Sequence, residues 1–257
     1  MIDQRQKGET FRALHAGEPF VMPNPWDAGS ARVLAALGFR ALATTSSGFA
    51  FTLGRLDGNV SLEEVIEHTR ALAEASALPV SVDLENGYGA EPEAAARAVE
   101  VAAEAGAAGG SIEDWDRDGR RIYEREHAVE RVRAAVEAAR PSGFVLTARA
   151  ENLIRGNDDL DDTIARLQAY EAAGADVLYA PGLRTVEQVR AVCSAVSKPV
   201  NVLARPDLTF AELAEAGAQR VSVGGGLAWV AAQALADAAT AIRDKGDFSA
   251  LTASSPL

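Results

Sequence analysis

Two rhythms of apolar and polar positions alternate along the chain. Short apolar runs containing β-branched residues give way to longer alanine-rich stretches in which apolar residues return at helical spacing, so strands and amphipathic helices take turns. The runs at 20–23, 41–46, 79–83, 110–113, 144–149, 176–180, 199–203 and 220–223 predict eight strands. Helices are predicted between them near 27–37, 61–76, 92–105, 125–139, 158–173, 185–196, 209–216 and 228–243, with an extra N-terminal helix over 3–16. Four helix-like stretches end in glycine, at Gly38, Gly106, Gly174 and Gly217, and pass straight into an apolar run. Glycine just past a helix end takes the left-handed conformation that satisfies the last carbonyls, and a short loop then enters the next strand.

Eight such units predict an α/β fold, a TIM (β/α)8 barrel. An open doubly wound sheet usually has fewer strands, and its Gly-x-Gly-x-x-Gly fingerprint is absent after the first run. No Pro/Gly/Ser-rich linker divides the 257 residues, so one barrel domain is assigned to 1–245 and a polar C-terminal tail to 246–257.

Composition narrows the partners. With 37 acidic against 25 basic residues the formal charge is −12, which speaks against nucleic acid and anionic membrane surfaces. A small anionic substrate remains compatible, because a site's local field can oppose the global one. The lone Cys193 excludes intrachain disulfides and cysteine-rich metal sites. No apolar run is long enough to span a bilayer and the N-terminus lacks a signal-peptide core, so a cytoplasmic protein is expected.

In barrels of this kind the chemistry sits at the C-terminal ends of the strands. That filter sets aside Lys198 and the terminal Lys7 and Lys245, and with them a Schiff-base mechanism. His15, His68 and His127 fall in or beside helices, and Cys193 lies in an apolar helix stripe. What remains is mostly acidic: Asp83 and Glu85 after the third strand, Glu113 and Asp114 after the fourth. Neighbouring strands lie about 5 Å apart, which gathers these carboxylates near one point, where they repel one another unless a cation intervenes. Oxygen ligands without histidine or thiolate select a hard ion, Mg²⁺ or Mn²⁺. Individual acids could instead cap helices or pair with Arg117, Arg120 or Arg121. Arg149, ending the fifth strand, suits a bidentate grip on a substrate carboxylate or neutralisation of the acids. Thr44 to Phe49 supplies hydroxyls and turn amides for an oxyanion, and Gly224 to Gly226 suits either phosphate binding or close helix packing.

These motifs resemble the phosphoenolpyruvate mutase/isocitrate lyase superfamily. The resemblance rests on Asn24-Pro-Trp-Asp-Ala-Gly-Ser-Ala31, Thr44-Thr-Ser-Ser-Gly48 with Gly54-Arg-Leu-Asp-Gly58, Val82-Asp-Leu-Glu-Asn-Gly-Tyr-Gly89, Ser111-Ile-Glu-Asp114, Ala148-Arg-Ala150 and Pro199-Val-Asn-Val-Leu203, in the family's order. It implies an enzyme that makes or breaks a C–C or P–C bond beside a 2-oxo or 2-hydroxy acid through a Mg²⁺-stabilised enolate. Asp83 would be the nearest metal ligand, with Glu85 and Glu113 acting directly or through water. Asp57 matches an active-site aspartate near the metal. Thr45, Ser46, Ser47 and Gly48 match the loop that holds substrate oxygens, Arg149 the substrate-binding arginine and Asn201 a further polar contact. Such proteins are typically homo-oligomers, dimers or tetramers, that exchange the last barrel helix, here about 228–243. The lyases' Lys-Arg/Lys-Cys-Gly-His loop is replaced by Trp115-Asp-Arg-Asp-Gly-Arg-Arg-Ile-Tyr123, and a sixth-strand glutamate by Ala180-Pro-Gly182, which disfavours isocitrate or methylisocitrate cleavage. A Mg²⁺-dependent C–C lyase of a small oxo or hydroxy acid is the leading expectation. Phosphonopyruvate-type chemistry, or a non-catalytic oxo-acid-binding barrel, stands as the alternative.

Overall fold

The computed structural model describes residues 4–252. All eight expected strands are present: β1 (Phe20–Met22), β2 (Leu42–Ala43), β3 (Val80–Asp83), β4 (Gly109–Glu113), β7 (Val145–Arg149), β8 (Val177–Tyr179), β9 (Val200–Leu203) and β10 (Arg220–Ser222). They pair in parallel in the order β1-β10-β9-β8-β7-β4-β3-β2. The two ends of that sheet meet where Ala43 N–H donates to Pro23 O at 3.0 Å, so the sheet curls into a barrel. Asn24 strengthens this seam: its amide donates to Thr44 O at 2.8 Å and its oxygen accepts the N–H groups of Val223 and Gly224, both at 2.9 Å.

The helices surround the sheet: α1 (Gln4–His15), α2 (Ala28–Ala36), α3 (Ser46–Thr52), α4 (Leu62–Ala75), α5 (Pro92–Glu104), α6 (Arg125–Ala139), α7 (Leu160–Ala173), α8 (Val186–Ala195), α9 (Phe210–Glu215) and α10 (Gly226–Lys245). Gly38, Gly106, Gly174 and Gly217 all carry positive φ, between 86° and 105°, as the helix-to-strand reading requires. Alanine dominates the helix faces turned to the sheet, among them Ala95, Ala98 and Ala102 of α5, which brings helix and strand backbones close.

Two features depart from expectation. The second strand ends at Ala43 instead of running to 46, because Thr45 caps a new helix: its Oγ1 accepts Gly48 N–H at 3.2 Å and α3 begins. The stretch after β4 folds into an antiparallel hairpin, β5 (Trp115–Asp116) with β6 (Arg121–Ile122), whose turn closes when Asp116 Oδ1 accepts Gly119 N–H at 3.0 Å. In the tail, Ser249–Thr252 form a short 3-10 turn, while residues 253–257, like residue 3, where the sequence predicts the N-terminal helix to start, lie outside the described residues. Among the described residues no helix is long and apolar enough to cross a membrane.

Helix α1 plugs the N-terminal end of the barrel. Phe11 is fully buried against Phe20, Met22, Ala108, Val145 and Val177. It lies so close to β4 that a Cβ at Gly109 would fall 2.8 Å from its ring, which accounts for glycine there. His15 follows Phe11 inward and packs edge-on between Phe11 and Phe20. Its Nδ1 bonds Phe11 O at 2.9 Å, so this nitrogen carries the proton and Nε2 accepts from Arg220 at 3.1 Å. Burial first, and the Arg220 charge second, pull the His15 pKa down to about 3. Protonation is therefore disfavoured in the fold, and the stability this brings, present above about pH 6.5, is lost as pH falls toward 3. In urea unfolding, the wild type is expected to lose about 1.4 kcal/mol per pH unit more than a His15→Gln variant between about pH 6 and 4. Parallel pH profiles for the two proteins would rule this out.

Candidate active site

At the C-terminal mouth, Arg149 at the end of β7 lies between three carboxylates. Its Nη1 is 3.0 Å from Asp83 Oδ1, and its Nη2 is 3.0 Å from Glu113 Oε2 and 2.7 Å from Glu151 Oε1. Burial acts to lower the pKa of this guanidinium, but Glu151, Glu113 and Asp83 outweigh it and hold the pKa above the usual arginine value. Arg155, six positions on, adds a second cation to the same acids, 3.0 Å from Glu151 and 3.4 Å from Glu113, its guanidinium over the Trp115 ring. The β5–β6 hairpin supplies a third, Arg117, paired with Glu85 and bonded to Gly58 O. Even so, Glu113, 5% exposed, keeps a pKa pushed well above the carboxylate range, chiefly by desolvation and then by neighbouring Glu151.

The loop after β3 is held in an uncommon shape. Glu85 and Tyr88 both adopt positive φ, 49° and 61°. Glu85 N–H donates to Asp83 Oδ1 at 3.2 Å and Tyr88 Oη to Glu85 Oε1 at 3.3 Å. Beneath it the buried Arg131 of α6 gathers the carbonyls of Asn86, Gly89, Ala90 and Glu91 and stacks on Tyr123. Thr44 Oγ1 accepts Asp83 N–H at 2.8 Å and so sets the strand end from the other side. Asp114 stands apart from the acidic group it neighbours in sequence. It accepts from Glu151 N–H at 2.8 Å, Arg166 at 3.2 Å and Tyr170 Oη at 2.5 Å, which makes it a brace between β4, α7 and the loop after β7.

Two chambers open from this mouth and share Ser46, Asp83 and Arg149. The inner one, about 190 Å³, is lined by Thr45, Ser46, Ser47, Ser111, Tyr179, Asn201, Arg220 and Ser222 among others. The outer one, about 310 Å³, is lined by Asp57, Asp83, Glu85, Glu113, Arg117 and Arg155 with Asn59 and Trp115. The structure thus brings Asp57, Asp83, Glu85, Glu113 and Arg149 to one chamber and Thr45, Ser46, Ser47, Arg149 and Asn201 to the other. Gly48 is buried behind them, where a Cβ would lie 2.6 Å from Thr45 Cγ2, so its smallness serves packing. Asn201 uses both ends of its amide internally, donating to Ser222 Oγ at 3.0 Å and accepting from Arg220 at 2.8 Å. Gly225 serves close approach of the last helix: a Cβ would sit 2.6 Å from Ser47 Oγ and 2.7 Å from Trp229 Nε1. Cys193 is inert, its pKa raised by burial to about 11. Sequence reasoning missed Arg155, Glu151 and Arg220. The first two stand in the same short loop as Arg149; the third begins a strand.

Asp83, Glu85 and Glu113 reach one chamber but not one point: among the described residues no group of three or more His, Cys, Asp or Glu side chains is arranged to hold a metal ion. The arginines lie between them. The donor set still fits a hard divalent cation. Four carboxylates face three guanidiniums across the outer chamber, all donors are oxygen, and Glu113 is left with its charged form unfavourable.

An eight-stranded β/α barrel with acids, arginines and hydroxyls at its C-terminal mouth has the build of a barrel enzyme for small acids. The chain belongs to the phosphoenolpyruvate phosphomutase family, whose sequence model matches residues 11–243, and with it to the phosphoenolpyruvate mutase/isocitrate lyase superfamily. It is 33% identical over 252 residues to an oxaloacetate decarboxylase of Rhodopseudomonas palustris (strain BisB5), covering 93% of this chain and 86% of that one. Against 2-methylisocitrate lyase of Escherichia coli (strain K12) it is 32% identical over 203 residues, 75% of this chain and 68% of that one. A crystal structure from Burkholderia cenocepacia J2315, provisionally assigned as a lyase or mutase, matches with a TM-score of 0.94 and 52% identity, covering 98% of this chain and 92% of that one. Its relatives in the superfamily include lyases and mutases, which places this chain among enzymes.

Arg149→Met would leave two buried acids, Glu113 and Glu151, and the partly buried Asp83 without their main cation and is expected to cost about 3–5 kcal/mol in urea unfolding. Adding Glu113→Gln to that variant should recover part of the loss, since one repelling charge is removed. A double-mutant cycle with no coupling between the two positions would contradict this account.

Proposed function

We propose that this protein is a Mg²⁺- or Mn²⁺-dependent lyase that cleaves a C–C bond of a small 2-oxo or 2-hydroxy acid. The observation that carries the reading is the shared wall: Arg149 and Asp83, ion-paired at 3.0 Å, border both the hydroxyl-lined inner chamber and the acidic outer one. A substrate lying across that wall has its carboxylate beside Arg149 and the Thr45–Ser47 hydroxyls. Its reacting carbon then faces the outer chamber. When bound, the cation, held by Asp83 with Glu85 and Glu113 directly or through water, would stabilise negative charge developing on the substrate oxygen as the bond breaks. Arg149 restrains the carboxylate, and its three acids keep its own rotamer from drifting. Asp57, from the loop after α3, faces the same chamber and adds to its field. Tyr88 donates to Glu85 and Tyr123 accepts from Asn86, so protonation of the product falls to water or to a neighbouring acid. Relatives that act on oxaloacetate and methylisocitrate support C–C cleavage, and the arginine-rich outer chamber keeps a phosphono acid as the second reading.

A panel of oxo, hydroxy and phosphono acids, offered with and without Mg²⁺, tests this directly. Pyruvate or CO₂ release that needs the metal and drops at least a hundredfold in Asp83→Ala is expected. Phosphate release would favour the second reading, and metal-independent turnover would refute the first.

For the assembly, we propose a homo-oligomer in which α10 packs on a second copy of the chain. Of its 20 residues only Ala228 is buried, while Trp229, Val230 and Leu235 are exposed, Trp229 edge-on to the exposed Phe51. Light scattering should give a multiple of the chain mass, and Leu235→Glu should lower it. A single-chain mass for the wild type in dilute solution would count against the exchange.

A further inference from the structure

Arg220 starts β10, is 2% exposed and lines the inner chamber. Its guanidinium is held by three neutral acceptors: Asn201 Oδ1 at 2.8 Å, Thr147 Oγ1 at 3.1 Å and His15 Nε2 at 3.1 Å. Among the described residues no carboxylate forms an ion pair with it, in contrast to Arg149, which has three. Of an arginine's five N–H groups, three are used and two remain. Burial lowers its pKa to about 9, so it is charged at neutral pH. Its remaining neighbours do not cancel that charge: His15 is neutral, and the Tyr179 phenol is pushed up by burial to about 12. A buried cation without a counter-ion is costly, and proteins ordinarily pair such a charge.

The two chambers consequently differ in sign. The inner chamber's charged lining is one acid, Asp83, against two arginines, Arg149 and Arg220; the outer has four acids against three arginines. We propose that the inner chamber is a carboxylate subsite whose positive charge is Arg220, so that the substrate's carboxylate enters there and completes the missing ion pair. This rests on the reading of the protein as an enzyme of small oxo or hydroxy acids and deepens it. The neutral donors around the subsite, Ser222 and the Thr45–Ser47 hydroxyls, suit a planar carboxylate on a short carbon skeleton. The separation of sign explains how one mouth takes an anion and a cation without mixing their places: the anion goes inward and the cation stays outside.

The test is binding of oxalate, measured by calorimetry and by thermal shift without metal, so that its outcome does not depend on turnover. Wild type should bind oxalate and melt at a higher temperature in its presence. Arg220→Met should bind at least tenfold more weakly and show no oxalate-induced shift in melting temperature. Should that variant misfold, Arg220→Gln, which keeps a donor toward Asn201, must show the same loss of binding. Oxalate bound equally well by either folded variant would overturn the proposal, as would a wild type that binds no oxalate. Inorganic phosphate is the control, and binding it in preference to oxalate would overturn the carboxylate assignment. Failure of the lyase assay with Arg220-dependent oxalate binding intact would sink the reaction and leave the subsite standing.

Discussion

The arrangement of the mouth depends on the ion bundle around Arg149. One guanidinium ends β7 and touches acids from β3, from the end of β4 and from the loop that follows β7. Each of those segments is placed by backbone pairing within the barrel, but their last residues would repel one another without a cation among them. The bundle converts mutual repulsion into attachment. It also explains why so much polar support converges nearby: Thr44 on Asp83, Arg131 on the loop after β3, and Asp114 on the amide of Glu151.

The barrel was largely legible in the sequence because its signals are local. Each helix-to-strand glycine does its work within a few residues, and each apolar run declares a buried strand. The same reasoning placed Asp83, Glu85, Glu113 and Arg149 together, since strand ends of a parallel barrel share one mouth. It overcounted at Asp114, where alternation along the strand sends adjacent residues to opposite sides. It undercounted the arginines. Arg117 is legible as a possible partner of the acids and does pair with Glu85, but nothing periodic announces the two-residue strands of the hairpin that carries it there. Arg155 arrives through an irregular loop. Arg220 sits at the start of its strand, a position assigned to the opposite face, yet its long side chain reaches the chamber from within the barrel.

The sequence motifs also assigned roles that the structure divides between packing and polar support. Gly48 and Gly225 are small because Thr45, Ser47 and Trp229 crowd them, and Asn201 is occupied by its neighbours in the barrel interior. These residues shape the inner chamber by setting where Ser47, Ser222 and Arg220 stand. A motif in this superfamily therefore includes the support of the site as well as the groups that face it.

The contact between His15 and Arg220 spans 205 positions of sequence. Helix α1 precedes every strand of the barrel in the chain, and β10 follows the other seven. Until β10 emerges, His15 lacks the Arg220 donor of its Nε2, and β1 lacks the neighbour that completes its pairing. The barrel is thus closed by a late event that joins its first strand to its last-made one. Its folding rate should be governed by closure of that longest loop, and a nascent chain stalled before β10 presents an open sheet edge to chaperones or to other chains.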